Sequence, residues 1–365
     1  MGERSKLTLT VITADPGGYM GQSSIHPGII DCAKESLFNA KEKGLIVDYH
    51  VLRCGARINM IITHRRGENS IEIAQLTQKT FNACVEEAVD LQLSRPEERP
   101  VSPGGVSPER GPDIIEMEFL ERQSEPVIIF IANRAAAGTW NLPAYKIFAD
   151  PFNTAGLVID PIMFKGFSFK ILDMKENTSI TLKNPGDIYT LLALAGITSR
   201  YVITEVHRNH DKEVAARVST AMLNNKGERV LSAFNPAIIS RCQEGFPSTG
   251  EALEPFTVPY LTKGWLRHRH LGPLIPVPFY EANLARFDGP MRIISAGFQV
   301  SSGHLIGPHD MFDDPSFDET RRTACKFPEY MRRHGPFQPH LLPEKETVDD
   351  MAPALLGRIM ERFAE

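Results

Sequence analysis

The first predicted element alternates apolar and polar residues, as a half-buried strand does. Residues 7–13 carry β-branched side chains at a period of two and lead into a turn of Asp15, Pro16 and two glycines. Residues 27–43 then place apolar side chains at helical spacing, and Gly44 provides a stop. The pattern also predicts strands at residues 45–52, 58–63, 127–131, 201–206, 214–223 and 291–299, and helices at residues 70–91, 186–194, 318–332 and 350–363. Strands outnumber helices in a mixed order, which predicts an α+β fold rather than a strict βαβ alternation.

Composition narrows the class of protein. The 365 residues carry 40 basic and 45 acidic side chains, and this net charge of −5 argues against a basic nucleic-acid-binding protein. With 42% hydrophobic and 23% charged residues, the chain has the balance of a soluble globular protein. It lacks the pattern of a signal peptide, and no window reaches the roughly 18 apolar residues of a membrane span. We therefore expect a cytoplasmic protein with no nucleic-acid and no membrane partner.

The cysteines are odd in number, widely separated and never spaced as Cys-x-x-Cys. They are Cys32, Cys54, Cys84, Cys242 and Cys325. This pattern argues against a disulfide framework and against a cysteine zinc site, so we expect reduced structural thiols. One alternative stays open, that Cys242 is a reactive thiolate activated by its polar neighbours Arg241 and Gln243.

Two segments are candidates for ligand chemistry. Residues 94–112 are rich in proline, glycine and charge, and a loop of that length is usually functional or disordered. Residues 127–131 form a continuous apolar run, typical of a strand buried on both faces. That run ends near Asn133 and Arg134, and the end of a buried strand is where α/β proteins commonly place ligands.

Familiar catalytic motifs are missing from the sequence. It holds no glycine-rich dinucleotide or P-loop fingerprint, no His-Glu-x-x-His, no Gly-x-Ser-x-Gly and no EF-hand loop. His268 and His270 would share one face of an extended segment beside Arg267 and Arg269. A solvated basic patch or a carboxylate- or phosphate-binding loop is the favoured interpretation. Metal ligation is the alternative, although no third ligand is near in sequence.

Several motifs occur together along nearly the whole chain. In order they are Ala14-Asp15-x-Gly17, His26-Pro27, residues 138–143 (GTWNLP), residues 149–161 (ADPFNTAGLVIDP), residues 241–247 (RCQEGFP), Gly264-Trp265, Gly272-Pro273-Leu274, residues 286–290 (RFDGP) and residues 330–337 (YMRRHGPF). In this order and spacing the chain resembles the fructose-1,6-bisphosphate aldolase/phosphatase family of archaea and deep-branching bacteria. The resemblance implies a single large domain over residues 1–365, a four-layer α-β-β-α sandwich and a homo-octamer. It also implies one site that performs both aldol condensation and Mg²⁺-assisted phosphate hydrolysis.

The same resemblance shows where this sequence departs from the family's site. Asp15 is kept, but the positions of the other metal ligands, the Schiff-base lysine and the catalytic tyrosines hold different residues. Those positions are Gln22, Ala56, Arg57, Asn133, Arg134, Val230, Ala233, Phe234, Asn235 and Asp349, with a glutamine position near Glu98. Without an amine at position 233 no imine with a carbonyl substrate can form. The loss of aspartates removes the negative charge that clustered Mg²⁺ ions need.

These departures lead to the expectation of a repurposed, divergent member of the family. We expect a metal-independent enzyme without cofactor, of the lyase, cyclase, isomerase or condensing type, in specialised biosynthesis, rather than a phosphatase or a Schiff-base aldolase. A first alternative is a catalytically inert protein that binds a sugar phosphate or scaffolds a partner. A second alternative is a Mg²⁺-dependent fructose-1,6-bisphosphatase/aldolase with displaced ligands, for which Glu97, Glu98 and Asp349 are candidates.

The candidate site combines the resemblance with side-chain chemistry. The expected substrate is an anionic, polyoxygenated small molecule, and Arg134 in place of a lysine keeps a cation suited to phosphate or carboxylate. The substrate-binding candidates are Tyr19, Gln22, Arg57, Asn133, Arg134, Trp140, Gln243 and Arg267. The acid–base candidates are Asp15, His26, His270 and Asp288. Simpler roles stay open: His26 as a helix cap, Asp15 and Asp288 as turn formers, and Trp140 and Tyr19 as core aromatics.

Overall fold

The computed structural model describes residues 6–20, 23–93, 111–133, 135–232, 234, 236–264, 270–283 and 290–333. Within these ranges the helices are α1 Pro27–Glu42, α2 Ile71–Asp90, α3 Asn141–Ala149, α4 Gly156–Ile159, α5 Ile188–Gly196, α6 Thr249–Leu253 and α7 Asp318–Arg332. The strands are β1 Lys6–Ala14, β2 Asp48–Cys54, β3 Arg57–His64, β4 Asp113–Leu120, β5 Glu125–Ala132, β6 Phe167–Asp173, β7 Thr178–Lys183, β8 Tyr201–Arg208, β9 Val214–Val218, β10 Ala221–Leu223, β11 Arg229–Leu231, β12 Ala237–Arg241, β13 Leu261–Gly264, β14 His270–Pro276, β15 Met291–Ser301 and β16 His304–Asp310.

The strands form two sheets. Sheet I has six strands in the order β11-β10-β4-β1-β3-β2, and its neighbouring strands all pair antiparallel. Sheet II has ten strands, in the order β13-β14-β15-β5-β12-β9-β8-β6-β7 with β16 added to β15. Strand β5 lies in the middle of sheet II and is buried almost throughout, as its continuous apolar run predicts.

Three apolar clusters fix the helices and sheets against one another. The two sheets share one cluster, which we call the inter-sheet core, built from residues such as Val11 and Ile61 of sheet I and Ile131 and Ile294 of sheet II. A second cluster joins the other face of sheet I to α1 and α2. A third joins the other face of sheet II to α3 and neighbouring segments. The central strands therefore bury both faces, which is why their sequences are rich in isoleucine and valine.

Helix α1 shows how local chemistry sets the bounds of an element. His26 caps its N-terminus, with Nδ1 accepting the Gly28 N–H at 3.1 Å. Pro27 occupies the first turn, where a helix needs no backbone donor. Gly44, at a φ of 67°, follows the last turn. Among the described helices, none combines the length and hydropathy required to cross a bilayer.

Most predicted elements are confirmed, and the differences have physical reasons. The segment predicted as one strand at residues 214–223 is two strands, because the chain leaves sheet II after Val218 and enters sheet I at Ala221. The β6–β7 hairpin was not predicted, since β7 is mostly exposed and lacks an apolar face. The predicted helix at residues 350–363 lies outside the described residues. Mixed α/β content with two sheets is confirmed, whereas the four-layer arrangement and the extent of the domain over residues 1–365 stay predictions.

Candidate functional site

The space between the two sheets changes from apolar to polar at one end. Alternate side chains of β1, β3, β4, β5 and β15 contribute to the inter-sheet core, and the same series continues into polar residues where these strands meet. We call this group the polar end, and it comprises Thr13, Asp15, Arg57, Asn59, Asp113, Asn133, Ser232 and Arg292. Because buried polar groups at strand ends commonly bind ligands, the polar end is the candidate site.

An ion pair spans the polar end within sheet I. Arg57 donates to Asp113 with 2.9 Å between Nη1 and Oδ2, and the two side chains are only 11% and 8% exposed. The second carboxylate oxygen of Asp113 accepts the Ser232 hydroxyl at 2.6 Å, and Ser232 accepts the Phe234 N–H at 3.1 Å. Arg57 was expected to face substrate as a cation. Its guanidinium is instead paired with a carboxylate of its own chain.

Asn133 contributes the part of the polar end that comes from β5. Its Oδ1 accepts the backbone N–H of Arg292 at 2.7 Å, and its own N–H donates to the Arg292 carbonyl at 3.0 Å. The residue is 4% exposed, and its Nδ2 has no hydrogen-bond partner among the described residues. A buried donor left unpaired costs about 1–3 kcal/mol. An acceptor on a ligand, or on a part of the chain outside the described residues, would satisfy this amide.

The Cys54 thiol lies near the charged groups of the polar end, and its pKa depends on them. Its Sγ lies 3.5 Å from the Arg292 carbonyl oxygen. Burial raises the pKa of this thiol to about 12, and the positive charges of Arg292 and Arg57 offset part of the rise. The two guanidinium groups are balanced in formal charge by the carboxylates of Asp15 and Asp113. The described part of the polar end is therefore neutral overall in formal charge.

The segment after β1 brings two further candidates towards the turn that carries Arg57. Gly18 packs on this turn so closely that a Cβ atom there would lie 3.0 Å from the Cβ atom of Ala56. The Tyr19 and His26 rings lie 5.5 Å apart between centroids, and Tyr19 is 43% exposed. Tyr19 is thus a surface aromatic rather than a core residue. The helix-cap role of His26 is observed, and its acid–base role stays a prediction.

Two candidates lie away from the polar end. Trp140 is 1% exposed and belongs to the cluster on the other face of sheet II, so it is a core aromatic. Gln243 follows β12 at the end where Arg241 pairs with Val127, whereas Asn133 follows the opposite end of β5. At about 3.3 Å per residue along a strand, roughly 20 Å separates these two ends. One copy of the chain therefore does not bring Gln243 together with Asn133.

The remaining candidates are not described by the structure. Gln22, Arg134, Arg267 and Asp288 lie outside the described residues, as do Glu97, Glu98, Ala233, Asn235 and Asp349, and the side chain of His270 is not described either. Their predicted roles stay predictions. The alternative of a reactive Cys242 is contradicted, because this thiol is fully buried and burial raises its pKa to about 12.

Sequence reasoning missed five members of the polar end, which are Thr13, Asn59, Asp113, Ser232 and Arg292. Asp113 opens β4, and the alternation of apolar and acidic residues from Ile115 to Phe119 was a usable sequence signal for a strand. Arg292 stands at the start of the predicted strand at residues 291–299, at the position where a polar residue precedes an apolar run. Ser232 gave no signal, since its contact with Asp113 joins residues far apart in sequence.

The donor set of the polar end does not suit a cluster of magnesium ions. Within the described residues, no group of three or more His, Cys, Asp and Glu side chains converges. Asp113 is engaged by Arg57 and Ser232, and Asn133 presents an amide nitrogen. Mg²⁺ needs near-octahedral oxygen ligands. The described residues therefore do not fit the metal cluster that the resemblance implies, and no catalytic step is assigned to a metal.

Comparison with known proteins places the chain in a class of sugar-bisphosphate enzymes. A family described as Fructose-1,6-bisphosphatase matches residues 6–364. The chain is 44% identical over 362 residues to the fructose-1,6-bisphosphate aldolase/phosphatase of Methanothermobacter marburgensis, covering 99% of both chains. It is 45% identical over 360 residues to that of Ignicoccus hospitalis, covering 98% of this chain and 93% of the relative. It is 43% identical over 367 residues to that of Moorella thermoacetica, covering 100% of this chain and 96% of the relative. The chain belongs to the fructose-1,6-bisphosphate aldolase/phosphatase family.

These relatives correct the functional expectation. A repurposed, metal-independent lyase of specialised biosynthesis, and an enzyme that is not a phosphatase, were expected from about ten substituted positions. That expectation is wrong, because relatives at 40–45% identity over essentially the full length carry the name of a phosphatase and aldolase.

Proposed function

We propose that this chain acts on fructose 1,6-bisphosphate at the polar end, as a phosphatase, an aldolase or both. The observation that supports this most is identity of 44% along 99% of the chain to a relative named for both activities. Such identity without large insertions or deletions preserves the scaffold on which a site is built. The position of the polar end, where strands of both sheets meet, is consistent with a ligand site.

The described residues suggest how an anionic sugar phosphate would be held. Arg292 supplies a guanidinium group suited to phosphate oxygens. The Arg57 guanidinium donates Nη1 to Asp113, and its other N–H groups are the donors proposed for a phosphate oxygen. The unpaired Nδ2 of Asn133 offers a donor to a phosphate or hydroxyl oxygen. Asp15 is the proposed acid–base group, because a carboxylate at the polar end can exchange a proton with a bound substrate. A four-layer arrangement and a homo-octamer belong to this proposal as family properties. Magnesium ions would need ligands beyond the described residues of the polar end.

A second candidate is a family member that binds the sugar phosphate without turning it over. The observation that favours it is the Arg57–Asp113 pair, which occupies the position where the resemblance implies metal-binding aspartates. Ala233, at the Schiff-base position, carries no amine. Under this candidate the chain lacks most of the family's metal-binding and catalytic residues, and the polar end serves recognition alone.

One set of assays separates the two candidates. The purified chain is incubated with fructose 1,6-bisphosphate and MgCl₂ while inorganic phosphate is measured, and with triose phosphates while fructose 1,6-bisphosphate is measured. Calorimetry gives the affinity for fructose 1,6-bisphosphate in parallel. Turnover supports the first candidate, and binding without turnover supports the second. If the chain shows neither binding nor turnover, both candidates are wrong.

Variants locate the activity at the polar end. We expect Arg57→Ala to lower kcat/KM, or the affinity if there is no turnover, by about tenfold or more, because a charged hydrogen bond to phosphate contributes about 1.5–3 kcal/mol. Arg57→Lys keeps the charge and checks that the fold survives. Arg66→Ala, at the other end of β3, is the matched control, because Arg66 is exposed and paired only at 3.4 Å with Glu72. An equal loss in both alanine variants would contradict the placement of the site.

A further inference from the structure

Helices α1 and α2 pack side by side on sheet I with a regular register of facing residues. Ser36 of α1 and Thr80 of α2 are hydrogen-bonded, with 2.6 Å between their hydroxyl oxygens. Near the start of α1, a Cβ atom on Gly28 would lie 2.9 Å from Oε1 of Glu87. Residue numbers rise along α1 while those of their partners fall along α2, so the helices run antiparallel.

Between these two contacts, one turn of each helix brings two cysteines face to face. Cys32 lies four residues before Ser36, and Cys84 lies four residues after Thr80, which is the spacing of one helical turn. This register places the two thiols next to each other, and each thiol shifts the pKa of the other. Cys84 Sγ also lies 3.7 Å from the carbonyl oxygen of Ile29, one turn before Cys32. Both side chains point into the same space between the helices.

The two thiols differ in their access to solvent. Cys32 is partly exposed, whereas Cys84 is completely buried in the apolar cluster between the helices and sheet I. Burial raises the pKa of both thiols, and nearby carboxylates such as Glu87 raise it further. Both are therefore mainly protonated at neutral pH, and their reaction with an oxidant will be slow. A soluble oxidant reaches Cys32 first.

We propose that Cys32 and Cys84 form a reversible disulfide between α1 and α2 when the protein meets a hydroperoxide. The Cys32 thiolate attacks the peroxide, so that the O–O bond breaks and an alcohol or water leaves. Cys32 becomes a sulfenic acid. The Cys84 sulfur then attacks the Cys32 sulfur, the S–O bond breaks and water leaves. Two thiols lose two electrons and two protons in total, and the hydroperoxide takes them up.

The cross-link would constrain a segment that matters to the candidate site. The chain between Cys32 and Cys84 contains β2, β3 and the turn that carries Arg57. Closing this loop removes conformations from the unfolded chain, which stabilises the folded state. This inference does not depend on the proposed function, because it concerns helix packing and thiol chemistry only.

The test uses the full chain in a Cys325→Ser background, since Cys325 is exposed on α7 and would form bonds between molecules. The protein is treated with hydrogen peroxide, unfolded and titrated for thiols, and digested without reductant for mass spectrometry. Of the four remaining cysteines, two thiols should be lost, and a peptide pair joined through Cys32 and Cys84 should appear. Dithiothreitol should restore all four thiols. The melting temperature should rise on oxidation, on the order of 5 °C.

The controls are Cys32→Ser and Cys84→Ser in the same background. Neither should show the joined peptides or the rise in melting temperature. If the Cys84→Ser variant fails to fold, the cross-linked peptides mapped in the Cys325→Ser protein still test the proposal. Four unchanged thiols, a bridge between other cysteines, or a sulfinic acid on Cys32 beside a reduced Cys84 would overturn the proposal.

Discussion

At the scale of single residues, Glu125 forms a buried ion-pair network at the end of the inter-sheet core opposite the polar end. Its carboxylate is fully buried and accepts hydrogen bonds from Arg122 at 2.6 Å and Arg241 at 2.8 Å. Burial alone would raise the pKa of Glu125, but the bonds from Arg241 and Arg122 outweigh it and hold the pKa below its usual range. We expect Glu125→Gln to lower the free energy of unfolding by about 3–5 kcal/mol, measured with urea, because Arg122 then loses its carboxylate partner and Arg241 is left with Glu213.

The control for this substitution is an exposed pair of the same chemistry. Glu329 and Arg333 lie 3.4 Å apart on the surface and are 70% and 71% exposed. Glu329→Gln should change the free energy of unfolding by less than about 0.5 kcal/mol, since solvent screens the pair. A loss below about 1 kcal/mol for Glu125→Gln would show that the buried network contributes little.

At the scale of elements, the cap of α1 separates two roles of His26. The His26 side chain accepts the Gly28 N–H, which is an acceptor role that asparagine also fills. We expect His26→Ala to lower the free energy of unfolding by about 1 kcal/mol and His26→Asn to restore most of it, measured by urea denaturation. If both variants lose equal stability, ring packing against Tyr19 rather than capping is the structural role of His26.

At the scale of the whole molecule, His64 links stability to pH. The buried ring accepts the Arg66 N–H at Nδ1 and contacts the Thr10 hydroxyl at Nε2, which a neutral ring satisfies. Burial, with the charges of Arg66 and Arg229, lowers the pKa of His64 from 6.5 to about 4. Below pH 6.5 His64 binds a proton in the unfolded chain, whereas in the folded chain it stays neutral until the pH falls to about 4. Stability from this group is therefore complete above pH 6.5 and is lost as the pH falls towards 4.

The expected size of this effect is about 2 kcal/mol between pH 8 and pH 5. The free energy of unfolding is measured with urea at pH 8 and at pH 5. Between these pH values we expect its decrease in the unsubstituted protein to exceed its decrease in His64→Gln by about 2 kcal/mol. His304→Gln is the control, because the His304 side chain is 58% exposed. An equal fall in the parent and the His64 variant would contradict the assignment.

The sequence predicted the elements better than the site. The regular spacing of apolar residues in α1, α2 and β5 lies within short segments. It can therefore be recognised without knowing what each face contacts. The candidate Asp15 was found by its motif and lies at the polar end. The partner of Arg57 was not found, because Asp113 lies 56 residues away and faces Arg57 only when both strands flank β1.

Local order in the chain indicated the positions of α1, α2 and β5. It also showed that the cysteines are too scattered for a disulfide framework, and it carried the motifs of the family. Those properties depend on neighbours within a few residues or on a pattern of positions. Only the tertiary structure decided that Arg57 is neutralised, that Gln243 and Asn133 lie at opposite ends of one strand pair, and that Cys32 meets Cys84. Charge pairing and burial act through space, and the folded chain brings together residues that its sequence keeps apart.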